Sequence, residues 1–340
     1  MKFRSAAATS LILLGVAVIL ALAILPLFGH SGTVLIHTDQ GQTLESPLKP
    51  AIEESTTAPV AAVNEASAGV TLRIGSWNVR DCAAWDEAAG ERIALHDYVA
   101  AAVRKAEADV MLFQEIQSDE SKGGDIALLS VALAKQGWSM PYTAVVNAKG
   151  EDDLAIFSRY KIEAEERLLE PTEADPWPRP GIYARIGAAQ TPLHLYGFHF
   201  KAMGDAKSEA ARRAQASALV KVLAERHSGS LDSDRIIVAG DFNTANASDL
   251  EGSDSTLATL SSLGDQDPDN DFLALNYHFL PAVPSFVDSR YRSVLDHILV
   301  SPSLKAGISK DSIHVIEAVE GPGTIPTSDH RLLLAEIVLR

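Results

Sequence analysis

The sequence predicts an α/β protein, and three observations carry that reading. Short runs of small or β-branched apolar residues bounded by polar ones read as buried strands, the clearest being Ile236–Ala239 within Arg235–Asn243. Segments with apolar residues near helical spacing fall between these runs, at 88–107, 126–136 and 208–226. Strand after strand then ends in a polar or charged side chain, a placement that costs energy unless the group is paired or binds something.

Taken in order, the chain opens on a basic leader carrying Lys2 and Arg4, followed by an uncharged stretch from Ala6 to Phe28. About 20 uncharged residues suffice to span a bilayer. Residues 1–30 are therefore expected to be a signal anchor, favoured over a signal peptide cleaved after Ala21-Leu22-Ala23, because apolar sequence continues beyond that point. Either way the bulk of the chain is expected to be exported, with Lys2 and Arg4 left in the cytoplasm. Residues 31–69, rich in Ser, Thr, Pro, Ala and Glu, read as a linker, and 70–340 as the functional domain.

That domain begins with a strand over 70–79 that places Asn78 at its end, then the helical pattern of 88–107. A second strand, 109–116, is apolar until it delivers Glu115. A helix over 126–136 and strands at 142–147 and 154–159 follow, with Asp152-Asp153 just ahead of the last. Arg179 opens a loop running into a strand, and the strand 193–199 ends in His199 with Lys201 beyond. The Ala-rich segment 208–226 is strongly helical and leads into the Arg235–Asn243 strand. This strand is expected to stop at Gly240, leaving Asp241 and Asn243 on one face of an extended segment. A carboxylate beside an amide suits deprotonating and orienting a water, but the same pair also fits an Asx-turn. Residues 248–270 and 273–286 read as loop-rich, 291–301 as a strand containing Asp296, 312–319 as another, and Asp329-His330 precedes the closing strand 332–339.

Composition narrows the function. Hydrophobic residues make up 46% and charged residues 22%, a globular balance. The formal net charge of -16 argues against gripping a nucleic-acid backbone by bulk electrostatics, though not against binding phosphates at a local metal-loaded site. Cys82 is the only cysteine, so no intramolecular disulfide can form and no thiolate cluster can bind zinc. There is no internal repeat and no Walker-type phosphate loop.

Asn78, Glu115, His199, Asp241/Asn243, Asp296 and Asp329/His330 therefore recur at strand ends, where one rim of a sheet would bring them together. The pieces Ser76-Trp77-Asn78, Gln114-Glu115, His199, Gly240-Asp241-Phe242-Asn243, Leu295-Asp296-His297 and Ser328-Asp329-His330, in this order, resemble the endonuclease/exonuclease/phosphatase superfamily, the DNase I-like phosphoesterases. The resemblance spans about 72–339. Phe198–Ala202, Arg179-Pro180 and Arg213-Ala-Gln215 look like its bacterial exported nuclease-like members. It implies a four-layer α/β/β/α sandwich of two mostly antiparallel sheets. It implies Mg²⁺ or Mn²⁺ at Glu115, with Asn78 and Asp329 close by. It also implies that Asp241 activates water and Asn243 orients it or holds the phosphate. His330, fixed by Asp296, would stabilise the transition state, while His199 would contact the phosphate and protonate the leaving oxygen. Asp152 is expected as the acidic partner of His199, and Arg179, Lys201 and Arg213 as phosphate-side cations.

The expected activity is metal-dependent phosphodiester hydrolysis on DNA or RNA, by a protein held to the membrane through its N-terminal helix and needing no obligate protein partner. A phosphatase or phospholipid phosphodiesterase of the same fold is the alternative, and a catalytically inactive binding module a third reading. If Ala6–Phe28 is an anchor, the protein stays with membranes through an alkaline carbonate wash. Recovery of a soluble exported form starting near Ile24 would show cleavage instead.

Overall fold

A computed structural model of the chain describes residues 70–86, 90–119, 124–148, 152–169, 179–317 and 325–339, together with two short strands nearer the N-terminus. The chain divides into two units, 1–64 and 65–340. In the first, Ile36–His37 pairs antiparallel with Thr43–Leu44. The expected anchor over Ala6–Phe28 lies outside the described residues, and no described helix is long and apolar enough to cross a membrane.

The second unit is built on two six-stranded sheets. The first runs in the order Ile313–Ile316, Leu332–Leu339, Val70–Asn78, Val110–Ile116, Asp153–Ser158, Tyr142–Val146. The second runs Leu273–Ala274, Asp296–Val300, Ile236–Asp241, Leu193–His199, Gly181–Ile186, Ile162–Leu168. Each sheet is antiparallel except for one central pair: Val70–Asn78 beside Val110–Ile116, and Leu193–His199 beside Ile236–Asp241. Because both strands of a parallel pair end on the same rim, these pairs set Asn78 beside Gln114 and His199 beside Asp241.

Side-chain alternation along the strands divides the core into three. Leu72, Ile74, Val110 and Leu112 of the first sheet meet Ile182, Leu195, Ile237 and Ile298 of the second in one cluster between the sheets. On the outer face of the first sheet, Met111, Phe113 and Phe157 pack with Val99 and Val103 of helix His96–Ala106 and with Leu129 and Leu133 of helix Asp125–Lys135. On the outer face of the second, Tyr196, Phe198 and Val238 pack with Leu219 and Leu223 of helix Ala206–Arg226 and with Leu257 and Leu260 of helix Thr256–Ser262. The layers are thus α/β/β/α. Burying each large aliphatic side chain stabilises by roughly 1.5–3 kcal/mol, against about 0–1 kcal/mol for a surface ion pair, so packing rather than charge fixes the strand ends.

Several local expectations are corrected. The helix expected from 88 begins only at His96, because Glu91–Ala94 pairs instead with Ala83–Asp86 after a turn at Gly90, where φ is +67. Ile162–Leu168 is a strand that the sequence concealed: its middle, Glu163–Glu166, is exposed and charged, as suits the edge of a sheet. The stretches read as loops hold the short helices Ala247–Leu250, Thr256–Ser262 and Leu275–Phe279, the second capped by Ser255. The strand expected over 291–301 is divided: Arg292–Ser293 pairs with Phe286–Val287 in a hairpin, and the sheet strand runs Asp296–Val300. Nor does the central strand stop at Gly240; it continues to Asp241. Gly240 is needed for another reason. Its φ is +146, and a Cβ there would lie 1.9 Å from the Phe198 carbonyl oxygen of the adjacent parallel strand.

Candidate active site

The ends of the two parallel pairs, and the starts of the antiparallel strands beside them, bring the polar residues of both sheets together. Asn78, fully buried, spans the gap: its Nδ2 donates to Glu115 Oε1 in its own sheet (2.8 Å) and to Asp241 Oδ2 in the other (3.2 Å). Glu115 sits in a bulge, with a register shift between Gln114 and Ile116 and a φ of +51. Such a conformation is costly for a residue with a side chain and re-aims it out of the strand alternation. Burial raises the Glu115 pKa, opposed by the Asn78 hydrogen bond and assisted by the nearby charges of Asp152 and Asp329.

Asp241 is the hub. Its Oδ2 lies 3.5 Å from His199 Nε2 and 3.6 Å from His330 Nε2, while its Oδ1 accepts the Asn243 N–H at 2.9 Å. Burial is the largest influence on Asp241 and pushes its pKa up to about 7, although the neighbouring His330 charge pulls the other way. A carboxylate raised toward neutrality is well matched to taking a proton from water.

The two histidines are held in opposite protonation states. Burial disfavours the His330 cation, but Asp296, which accepts from Nδ1 at 2.9 Å, and Asp241 outweigh it and raise the pKa to about 10. The ring is fixed from behind: Trp77 Nε1 donates to the His330 carbonyl (2.9 Å), the His330 N–H donates to Ser328 Oγ (3.1 Å), and Ser328 Oγ donates to the Asn78 carbonyl (2.8 Å). Asp296 is fully buried and is held by its own N–H donating to Ser285 Oγ at 2.9 Å. His199 is the reverse case. Burial first, then the charges of Arg179 and His330, hold its pKa well below the usual histidine value, and among the described residues its Nδ1 has no hydrogen-bond partner.

No curated protein matches the chain, but the family model described as the endonuclease/exonuclease/phosphatase family matches residues 75–330. The chain belongs to that family. The match contains every strand end just described, and it makes the protein a phosphoesterase-type hydrolase. Three solved structures share the family fold, each with a TM-score of 0.55. Truncated Caenorhabditis elegans TDP2 is 14% identical over 79% of this chain and 97% of its own. The 3′ phosphatase NExo from Neisseria, bound to product DNA hairpin, is 19% identical over 78% and 99%. The human Nocturnin catalytic domain, with a bound sulfate anion, is 16% identical over 79% and 94%.

The family's divalent metal fits the donors present. Glu115 and Asp152 offer ligand atoms within 4.8 Å of each other and of a His199 nitrogen, and burial and the charges of Asp152 and Asp329 together raise the Glu115 pKa. Oxygen donors crowded in this way suit Mg²⁺ or Mn²⁺, and no cysteine is among them. Asp329 stands at the more exposed side, 3.7 Å from Arg80.

Other expected residues are placed differently. Asp152 does not hydrogen-bond His199; it accepts from Arg179 Nη2 at 2.7 Å, and Arg179 Nη1 donates to the Phe200 carbonyl at 3.2 Å. Arg179 is thus built into the site wall with its charge facing His199. Asn243 is not extended beside Asp241. Its φ is +50 and its Nδ2 donates to the Phe200 carbonyl (3.2 Å), so the Asx-turn and the site coexist. Arg213 pairs with Glu209 one turn away on its helix and takes no part. Lys201 contributes its backbone to the site loop, its N–H donating to Gln215 Oε1 at 2.8 Å. The residue that sequence reasoning missed is Arg212. It is fully buried, makes paired hydrogen bonds to Asp249 (2.9 and 2.6 Å), and donates to the carbonyls of Lys201 and Met203. This clamps the loop that follows His199. Helical phase was the available signal, since Arg212 lies on the same face as Ala216, Leu219 and Leu223.

Asp296→Asn keeps the size of Asp296 but removes the charge that raises the His330 pKa. His330 then loses its proton at lower pH, so the alkaline limb of kcat/KM moves down, and the rate falls by roughly 10- to 1,000-fold. The check is kcat/KM against pH for both proteins, with folding followed by circular dichroism. An unchanged alkaline limb in a fully folded variant removes the pair from the mechanism.

Proposed function

We propose that the protein is a nuclease that hydrolyses phosphodiester bonds in DNA or RNA with Mg²⁺ or Mn²⁺ bound at Glu115, Asn78 and Asp329, joined by Asp152. The observation that carries this reading is the Asp241 carboxylate, its pKa raised to about 7 while it is held among Asn78, neutral His199 and cationic His330. A cation held there would offer positive charge to phosphate oxygens. Asp241 accepts the proton of the attacking water, and Asn243 keeps that carboxylate aimed through the N–H it donates to Oδ1. His330, its Nε2 turned toward the Asp241 side of the site, presents an imidazolium to the developing charge.

His199 takes a different role from the one expected. A buried histidine that resists protonation is a poor acid, so as the P–O bond breaks the leaving oxygen takes its proton from the His330 imidazolium, which Asp241 beside it can reprotonate. His199, as neutral imidazole, holds a phosphate oxygen by a hydrogen bond. Arg179 adds a fixed positive charge beside it. A nucleic-acid substrate is supported by Neisseria NExo, whose structure holds a product DNA hairpin. Work outside the cytoplasm is part of the same proposal and is supported by the Lys2, Arg4 and 6–28 pattern.

Full-length protein assayed on plasmid DNA, RNA, inositol phosphates and sphingomyelin, with Mg²⁺ and with EDTA, tests the reading. Hydrolysis of DNA or RNA that EDTA abolishes is expected, and Glu115→Gln lowers it by roughly 100-fold or more while raising the Mg²⁺ concentration needed for half-maximal activity. Equal activity in EDTA and Mg²⁺ contradicts the metal; turnover of the lipid or inositol phosphates alone contradicts the substrate.

A further inference from the structure

The strand that starts with Asp296 is preceded by a small hairpin, Phe286–Val287 paired with Arg292–Ser293 in the register Phe286↔Ser293 and Val287↔Arg292. Its base is fastened to the segment carrying His330. Phe286 forms an antiparallel bridge with His330, the Val287 N–H donates to the Asp329 carbonyl (2.8 Å), and the Arg331 N–H donates to the Ser285 carbonyl (2.6 Å). The Phe286 ring meets the His330 imidazole edge-on, with centroids 5.0 Å apart.

The tip is rigid as well. The Asp288 N–H donates to the Tyr291 carbonyl at 3.0 Å, and the Asp288 carboxylate accepts the N–H groups of Arg290 (2.6 Å) and Tyr291 (2.5 Å). This tip presents Arg290, Tyr291 and Arg292, all exposed, with Tyr291 63% accessible. Among the described residues neither guanidinium has a carboxylate at ion-pair distance. Tyr291 lies opposite Asp288, two residue levels beyond Phe286, or about 7 Å at the rise of a strand. The hairpin thus holds an exposed aromatic between two exposed arginines on a rigid support whose base is bridged to His330.

We propose that the hairpin tip binds the nucleotide next to the scissile phosphodiester of a single-stranded polynucleotide, with Tyr291 stacked on its base and Arg290 and Arg292 on flanking phosphates. Stacking needs an exposed base face, which a single strand offers and a duplex hides. Charge favours the same ligand. The chain's net charge of -16 does not suit tracking a long duplex backbone, whereas two arginines suit a short run of phosphates. With about 0.7 released counterions per phosphate contact on a single strand, two contacts give a shallow salt slope near -1.4. The inference rests on the nuclease reading and adds the form of the substrate.

Full-length wild type, Tyr291→Ala and Tyr291→Phe are compared with Mg²⁺ on two single strands of equal length, an oligothymidylate and the same sugar–phosphate chain without bases. Wild type is expected to favour the base-bearing strand in kcat/KM by about 5- to 100-fold, the scale of one stacked base. That preference collapses toward one in Tyr291→Ala and survives in Tyr291→Phe. Arg290→Gln with Arg292→Gln flattens the salt slope. Retention of the wild-type preference by folded Tyr291→Ala overturns the inference while leaving the nuclease reading intact. Failure of wild type to cut either strand, or any RNA or duplex, overturns the nuclease reading and the inference falls with it.

Discussion

The site depends on one carboxylate shared between two sheets. Asp241 belongs to the second sheet, yet it accepts from Asn78 of the first and lies beside His199 of its own sheet and His330 in the loop before the first sheet's strand Leu332–Leu339. Nothing local holds that arrangement. It needs the packed cluster between the sheets to fix their spacing and Gly240 to let the strand of Asp241 approach that of His199. It also needs the Trp77–His330–Ser328–Asn78 chain of hydrogen bonds to lock the loop before the last strand. A buried carboxylate in such a place is expensive, and its raised pKa is the measure of that cost.

The same burial gives two histidines opposite behaviour. His330, hydrogen-bonded to Asp296 and beside Asp241, is held as a cation. His199, though Asp241 and Glu115 lie 3.5 and 3.8 Å from its Nε2, is held down by full burial and by the charges of Arg179 and His330. Both Asp241 and His330 bind protons more tightly folded than unfolded. Their joint contribution therefore favours the folded state at low pH and declines as pH rises, through about 7 for Asp241 and about 10 for His330. A divalent cation beside Glu115 would supply positive charge where protons are being lost, which links metal binding to stability at the pH where the enzyme works.

Much of this was legible in the sequence because strand ends are marked by abrupt change. Glu115, His199 and Asp241 each follow apolar runs, and the structure gathers them as a parallel sheet pair must. What the sequence hid was set by tertiary geometry. The left-handed turn at Asn243 and the bulge at Glu115 leave no periodic trace, and the choice of Arg212 over Arg213 as the buried clamp is visible only through helical phase. Asp152 lay in the right loop, but Arg179 reached it first. The edge strand Ile162–Leu168 was masked by its own charges, which protect an edge and imitate a solvated helix.

The central claim is that one buried site holds His330 charged and His199 neutral around Asp241. Nitrogen-15 chemical shifts of the histidine rings, measured in metal-free full-length protein across pH 5 to 10 and assigned with His199→Gln and His330→Gln, test it most directly. The account predicts a His330 ring protonated on both nitrogens through neutral pH and a His199 ring that stays neutral throughout. Two rings titrating together near the ordinary histidine value, or a charged His199 beside a neutral His330, would contradict it.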